Sequence, residues 1–120
     1  MATRSRIGIK NPDGTIHSVY CHWDGYLSNN GRILLRSYMN EDDILELISK
    51  GDMSYLDDSV TACKYYNDGN KAIASKSEEE YIKEGEEYNY LFKDGEWYYN
   101  YGNREFVKLT MGKINQEICD

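Results

Sequence analysis

An α+β fold is predicted for this chain: an antiparallel sheet of about six short strands with two to three helices packed on one face. Three observations predict it. Period-2 alternation recurs in short runs, the runs are punctuated by Gly- and Asp-bearing turns, and two apolar stripes at helical spacing stand after the first pair of runs. At 120 residues the chain is expected to form a single domain over 1–120, large enough to bury roughly two thirds of its unfolded surface.

Residues 5 to 10 alternate, with Ile7 and Ile9 on one face. Asn11-Pro12-Asp13-Gly14 then makes a turn, since proline presets φ and glycine supplies a positive one. Residues 15 to 22 alternate again: Ile16, Ser18 and Tyr20 share one face and His17, Val19 and Cys21 the other, which completes an N-terminal hairpin. After the loop His22-Trp23-Asp24-Gly25-Tyr26, Ser28, Asn29, Asn30 and Gly31 offer N-caps for a helix carrying Ile33, Leu34 and Tyr38. Asn40 can cap a second helix whose apolar stripe is Ile44, Leu47 and Ile48, closed by Lys50 and then Gly51.

Residues 52 to 59 are polar and expected as loop. Val60 to Tyr66 and Lys71 to Ser75 read as a second hairpin across Asn67-Asp68-Gly69-Asn70. Ser77 with Glu80 forms a capping box that opens a short acidic helix ending at Gly85. Tyr88 to Phe92 and Trp97 to Tyr101 flank Lys93-Asp94-Gly95-Glu96 as a third hairpin. The stripes Tyr88/Tyr90/Phe92 and Trp97/Tyr99/Tyr101 are expected to differ, one lining the core and the other exposed as an oligomer surface. From Arg104 to Ile118 the pattern suits either a strand or a helix broken near Gly112.

Composition narrows the classes of partner. Twenty-one acidic against 14 basic residues give a net charge of −7, which argues against direct nucleic-acid binding, because that needs an excess of Lys and Arg. Twelve tyrosines against two phenylalanines favour half-wet sheet faces and interfaces, where the ring packs and the hydroxyl keeps a partner. Cys21, Cys63 and Cys119 are odd in number, far apart and without a CxxC pair, so no thiolate metal site is expected. The start MATRSRIGI lacks an apolar signal core and no run reaches transmembrane length, so a cytoplasmic location and no membrane partner are expected.

The HWDGY loop concentrates the chemistry. His22 and Asp24 make half of a nucleophilic relay, but no Ser or Cys is placed beside them by a recognisable motif, so no catalytic residue is assigned. Only His17 and His22 are available as imidazole ligands and they lie on opposite strand faces, so neither metal nor cofactor is expected. Trp23 and Tyr26 can stack on a ring, and Arg32 and Arg36, one turn apart on the following helix, can hold phosphate. Against this stands a plainer reading, in which Trp23 anchors the loop into the core and both arginines pair with surface acids. Glu78, Glu79, Glu80, Glu84, Glu86 and Glu87 form an acidic block that reads first as a solvated helix face.

Several of these segments together resemble a family of small tailed-phage and prophage proteins. The match lies in Met1-Ala2-Thr3-Arg4-Ser5 leading to Ile7-Gly8-Ile9, in Asp13-Gly14-Thr15, in Tyr20 through Tyr26, in Gly31 through Leu35, and in Tyr90 through Tyr98. Proline often follows the HWDGY tyrosine in that family; Leu27 stands there in this chain, so the approach to the helix is expected to differ. The resemblance implies an accessory protein acting in the bacterial cytoplasm and implies no catalytic residues. The leading expectation is a counter-defence binding protein, a homo-oligomer that sequesters a small nucleotide-like immune signal of the cyclic ADP-ribose or cyclic oligonucleotide kind. Its contacts would come from His22, Trp23, Asp24, Tyr26, Arg32 and Arg36. Two alternatives stand beside it: an anti-CRISPR-like inhibitor that sets its acidic surface against a host defence protein, and a small hydrolase or lyase using His22 and Asp24.

Overall fold

The computed structural model describes residues 3–66, 71–102 and 104–119, with 117–119 as backbone only. The N-terminal hairpin forms as its turn chemistry requires. β1 (Ser5–Lys10) and β2 (Ile16–Cys21) pair antiparallel, Ile7 facing Val19 and Gly8 facing Ser18. Gly14 takes φ +91, and Asp13 accepts hydrogen bonds from the Thr15 hydroxyl and N–H at 2.6 and 3.0 Å.

The expected N-caps of the next helix are spent elsewhere. A π-helical turn, Leu27–Gly31, runs straight into α1 (Arg32–Ser37) without a side-chain cap. Asn29 donates to the Asp24 carbonyl at 3.2 Å, and Asn30, fully buried, donates to Ser5 Oγ at 3.1 Å and Cys21 Sγ at 3.5 Å. Helix α2 (Glu41–Ser49) follows expectation: Asn40 Oδ1 accepts from Asp42 N at 2.8 Å, Ile44, Leu47 and Ile48 are buried, and Gly51 closes it at φ +87.

The middle of the chain departs from the expected second hairpin. β3 (Met53–Tyr55) arises inside the segment expected as loop and runs parallel to β2, with Met53 opposite Cys21. β4 (Lys64–Tyr65) pairs with β3, whereas β5 (Ile73–Ser75) pairs with β2, His17 facing Ala74. Residues 60–63 turn instead of extending. Cys63 Sγ accepts from Asp57 N at 3.2 Å, and the Tyr65 hydroxyl reaches back to the Val60 carbonyl at 2.6 Å. The expected turn over 67–70 lies outside the described residues.

Helix α3 (Glu78–Glu84) carries the anticipated cap, Glu80 N donating to Ser77 Oγ at 3.1 Å. β6 (Tyr88–Lys93) and β7 (Glu96–Tyr101) form the third hairpin, with Asp94 and Gly95 at φ 52 and 76, the two positive angles of a tight primed turn. The ambiguous tail divides into β8 (Val107–Lys108) and α4 (Met111–Cys119).

The sheet runs β4-β3-β2-β1-β6-β7-β8, with β5 beside β2. It is mixed rather than antiparallel. β6 lies parallel to β1, Ile7 opposite Tyr90, because the chain reaches it through helices and no tight turn reverses it. Eight strands and four α-helices are present among the described residues, more than the six and two or three expected.

Helices also lie on both faces rather than one. Ile7, Ile9, Val19, Cys21, Tyr90, Phe92 and Trp97 meet Leu34, Ile44, Leu47, Leu109 and Ile114 in the main core, beneath α1, α2 and α4. On the other face α3 drops Tyr81 over Gly8, its hydroxyl donating to the Tyr90 carbonyl at 2.8 Å, with Ile16, Leu91 and Phe106 around it. The two tyrosine stripes do not divide between core and solvent. The two-residue turn sets Phe92 opposite Trp97, Tyr90 opposite Tyr99 and Tyr88 opposite Tyr101, so both stripes share the main core face.

Candidate functional site

The HWDGY loop extends the parallel pairing of β2 and β3: His22 and Trp23 donate their N–H groups to the Met53 and Ser54 carbonyls at 3.1 and 2.9 Å. Asp24 then takes a left-handed φ of 58, which short polar side chains tolerate. Gly25 is buried where the chain passes Thr3 and Ser5; a Cβ there would stand 2.7 Å from Ser5 Cβ and 2.8 Å from the Thr3 carbonyl oxygen. The Gly25 carbonyl accepts from the Tyr90 hydroxyl at 2.6 Å, tying the loop to the sheet centre.

His22 and Asp24 face different partners. His22 Nδ1 shares a 2.6 Å hydrogen bond with Tyr20 Oη, while Asp24 Oδ1 accepts from the Tyr26 hydroxyl at 3.4 Å. The half-relay that His22 and Asp24 could have formed is therefore not assembled. Cys21, just before the loop, is pushed up to about 11 by burial, against the hydrogen bond from Asn30, so it is a thiol at neutral pH.

Trp23 does not anchor the loop in the core. Its side chain is 43% exposed and meets the His22 ring edge-on at 4.8 Å. The two arginines part company. Arg36 holds Asp58 through Nε and Nη2 at 3.1 and 2.7 Å, and with Ser37 keeps that carboxyl below its usual range. Arg32 Nε is sealed from solvent with no hydrogen-bond partner among the described residues, an arrangement that costs about 1–3 kcal/mol when nothing answers it. Four of the six predicted residues thus share one loop. Arg36 is occupied, and none of the six lines the two grooves described next.

The first groove lies on the main core face at the open end of the β6–β7 hairpin, about 330 Å³ in volume. Leu27, Tyr88, Tyr99 and Tyr101 give it an apolar and aromatic wall; Arg104, Lys113 and Gln116 give it polar heads. Tyr88 and Tyr101 meet edge-to-face at 4.9 Å, and Tyr101 is half exposed. Neither Arg104 nor Lys113 forms an ion pair among the described residues. Two cations and three phenol rings in one concavity suit a ligand with a flat ring and an anionic group. The sequence carried part of this signal, in the tyrosine stripes; the shared face followed from the hairpin register, but Lys113 reaches the groove only through the placement of α4.

A second groove of about 770 Å³ lies beside α3, walled by Glu78, Glu79, Lys83 and Glu105 over Ile82 and Phe106. Glu78 is committed inward, to Lys10 at 2.9 Å and Lys93 at 3.0 Å. Partial burial pushes its carboxyl up, but the two lysines outweigh this and hold it below its usual value. No group of three or more potential metal ligands stands among the described residues, and no described helix is long and apolar enough to cross a membrane. A scan against protein-family models finds no match to this chain, and neither does a search of curated proteins or of solved structures.

Proposed function

We propose that this protein binds and sequesters a small nucleotide-derived anion, and that it does so as a phage counter-defence protein removing an immune signal of the cyclic ADP-ribose or cyclic oligonucleotide kind. One observation carries the binding: Tyr88, Tyr99 and Tyr101 share a groove with Arg104 and Lys113 in a chain of net charge −7. An acidic protein holds an anion only where cations are gathered locally, and base–aromatic stacking adds about 1–3 kcal/mol per ring. The phage setting rests on the sequence resemblance. Trp23, Tyr55 and Tyr66, exposed at the β3 side of the sheet, supply the contact surface of a homo-oligomer.

The experiment is calorimetric titration and thermal shift with ADP-ribose and with cyclic di-AMP on the intact chain. Arg104→Gln and Tyr101→Ala are each expected to weaken binding about tenfold or more, a loss of about 1.4 kcal/mol. Loss in Trp23→Ala and Arg32→Ala instead would move the ligand to the HWDGY loop. Binding unaltered in all four variants, or absent from the wild type, would sink the reading. Recovering the ligand intact after heat denaturation separates sequestration from turnover by His22 and Asp24, and light scattering on the same samples reports the oligomer.

A second reading has its own observation. The α3 groove, acidic at Glu79 and Glu105 with an apolar floor at Ile82 and Phe106, suits a basic segment of a host defence protein. Binding lost in Glu79→Lys with Glu105→Lys, but kept in Arg104→Gln, would favour that inhibitor.

A further inference from the structure

Below the aromatic groove, on the opposite face of the same hairpin, two amides form a closed network. Asn89 and Asn100 are directly opposed across β6 and β7 and are 0% and 1% exposed. Asn89 Nδ2 donates to Asn100 Oδ1 at 2.9 Å and to the Glu86 carbonyl at 3.1 Å, while its Oδ1 accepts from Glu86 N at 2.9 Å. Asn100 Nδ2 donates to the carbonyls of Gly102 and Arg104 at 3.0 and 2.9 Å. Turning the Asn100 amide over would set its oxygen against both carbonyls, so a single orientation satisfies the network.

These bonds fix the backbone at the point where β7 ends. Gly102 turns at φ +65 and donates to the Glu87 carbonyl at 3.0 Å, and the chain delivers Tyr101 and Arg104 to the groove on the other side. Asn100 is absent from the groove lining and reaches Arg104 only through its carbonyl. A long arginine presented from an exposed connection would otherwise lose rotamer and backbone freedom on binding, which subtracts from affinity.

We propose that Asn100, seated by Asn89, is a positioning residue that pre-sets Arg104 for the anionic group of the ligand. This rests on the proposed binding in the aromatic groove and adds the device that makes the cation ready. A buried amide could instead serve stability alone, and the two roles differ in how its loss combines with the loss of Arg104.

A double-mutant cycle separates them, with ADP-ribose as probe on the full chain: Arg104→Gln, Asn100→Leu and the pair, with Asn100→Ser as the variant of choice should Asn100→Leu fail to fold. Each single change is expected to raise Kd about tenfold. The pair should raise it no further, and the salt dependence of binding in the Asn100 variant should match that of Arg104→Gln, affinity rising with salt in both as the repulsion from the acidic surface is screened. Melting temperatures recorded alongside show whether the protein remains folded. An additive loss of about a hundredfold, or an unchanged salt dependence, overturns the positioning role while leaving the groove in place. If Arg104→Gln alone leaves Kd unchanged, the groove reading and this inference fall together.

Discussion

Gly25 is where the HWDGY string tolerates least change. Its φ is not positive; what excludes a side chain is the crossing of the N-terminal segment, whose Thr3 carbonyl oxygen would stand 2.8 Å from a new Cβ. The same carbonyl accepts the Gly25 N–H at 2.8 Å, so the chain cannot retreat without losing that bond. Gly25→Ala is expected to cost about 1–3 kcal/mol, the range for overpacking a well-filled site. Urea unfolding checks this, and a midpoint equal to wild type would show that the crossing yields. Most of the string is thus structural at residue scale: Gly25 makes the crossing, Asp24 turns the chain at the surface, and Trp23 leaves its ring broadly facing solvent. That division was not legible in the sequence. Thr3 and Tyr90, which define the site of Gly25, lie 22 and 65 residues away along the chain. Arg36 shows the same limit. Its spacing from Arg32 was visible, but its capture by Asp58, 22 residues on, depends on the turn after β3.

Among the elements, α3 is pinned to the sheet by buried Tyr81 and, at its first turn, by one carboxylate. Glu78 bridges Lys10 on β1 and Lys93 on β6, strands whose neighbouring positions run parallel across the sheet centre. The folded carboxyl titrates below its ordinary value of 4.5, so its contribution is fully present above that pH and is lost as pH falls through the lowered value. Glu78→Gln should therefore lower stability by about 1 kcal/mol at neutral pH and by progressively less below pH 4.5. Denaturant curves of both proteins between pH 3 and 7 test it, and parallel pH profiles would show that the bridge contributes nothing. Elements closed by a local signal were legible: Asp94-Gly95 fixed the third hairpin, Asn40 and Gly51 bounded α2, and Ser77 opened α3. Strand character was legible for β4 and β5, inside Val60–Tyr66 and Lys71–Ser75, but β3 and the pairing were not, because Met53 pairs with Cys21 across 32 residues and no turn between them records a parallel register. Val60 to Tyr66 has strand composition, yet Cys63 and Tyr65 spend their side chains closing a turn.

At the scale of the whole molecule, charge distinguishes the two binding readings. The chain measures 38 × 29 × 28 Å and carries net −7, dimensions that exceed the screening length of about 8 Å at 0.15 M salt and are comparable with the roughly 30 Å reached at 0.01 M. For an anionic nucleotide the groove cations attract and the distant carboxylates repel. Raising salt weakens both, and it removes the distant repulsion first, because screening grows with distance. Affinity for ADP-ribose should consequently change little, within about threefold, between 0.01 and 0.15 M salt. For a basic protein segment on the α3 groove, Glu79 and Glu105 and the distant charge act with the same sign, so affinity should fall steeply over that range, by about tenfold or more. Titrations at the two ionic strengths, made with ADP-ribose and with a lysine-rich peptide, give opposite patterns under the two readings. A steep fall for ADP-ribose would mean that the local cations act without opposition from the acidic surface, so the predicted cancellation would fail although the groove cations still hold the anion.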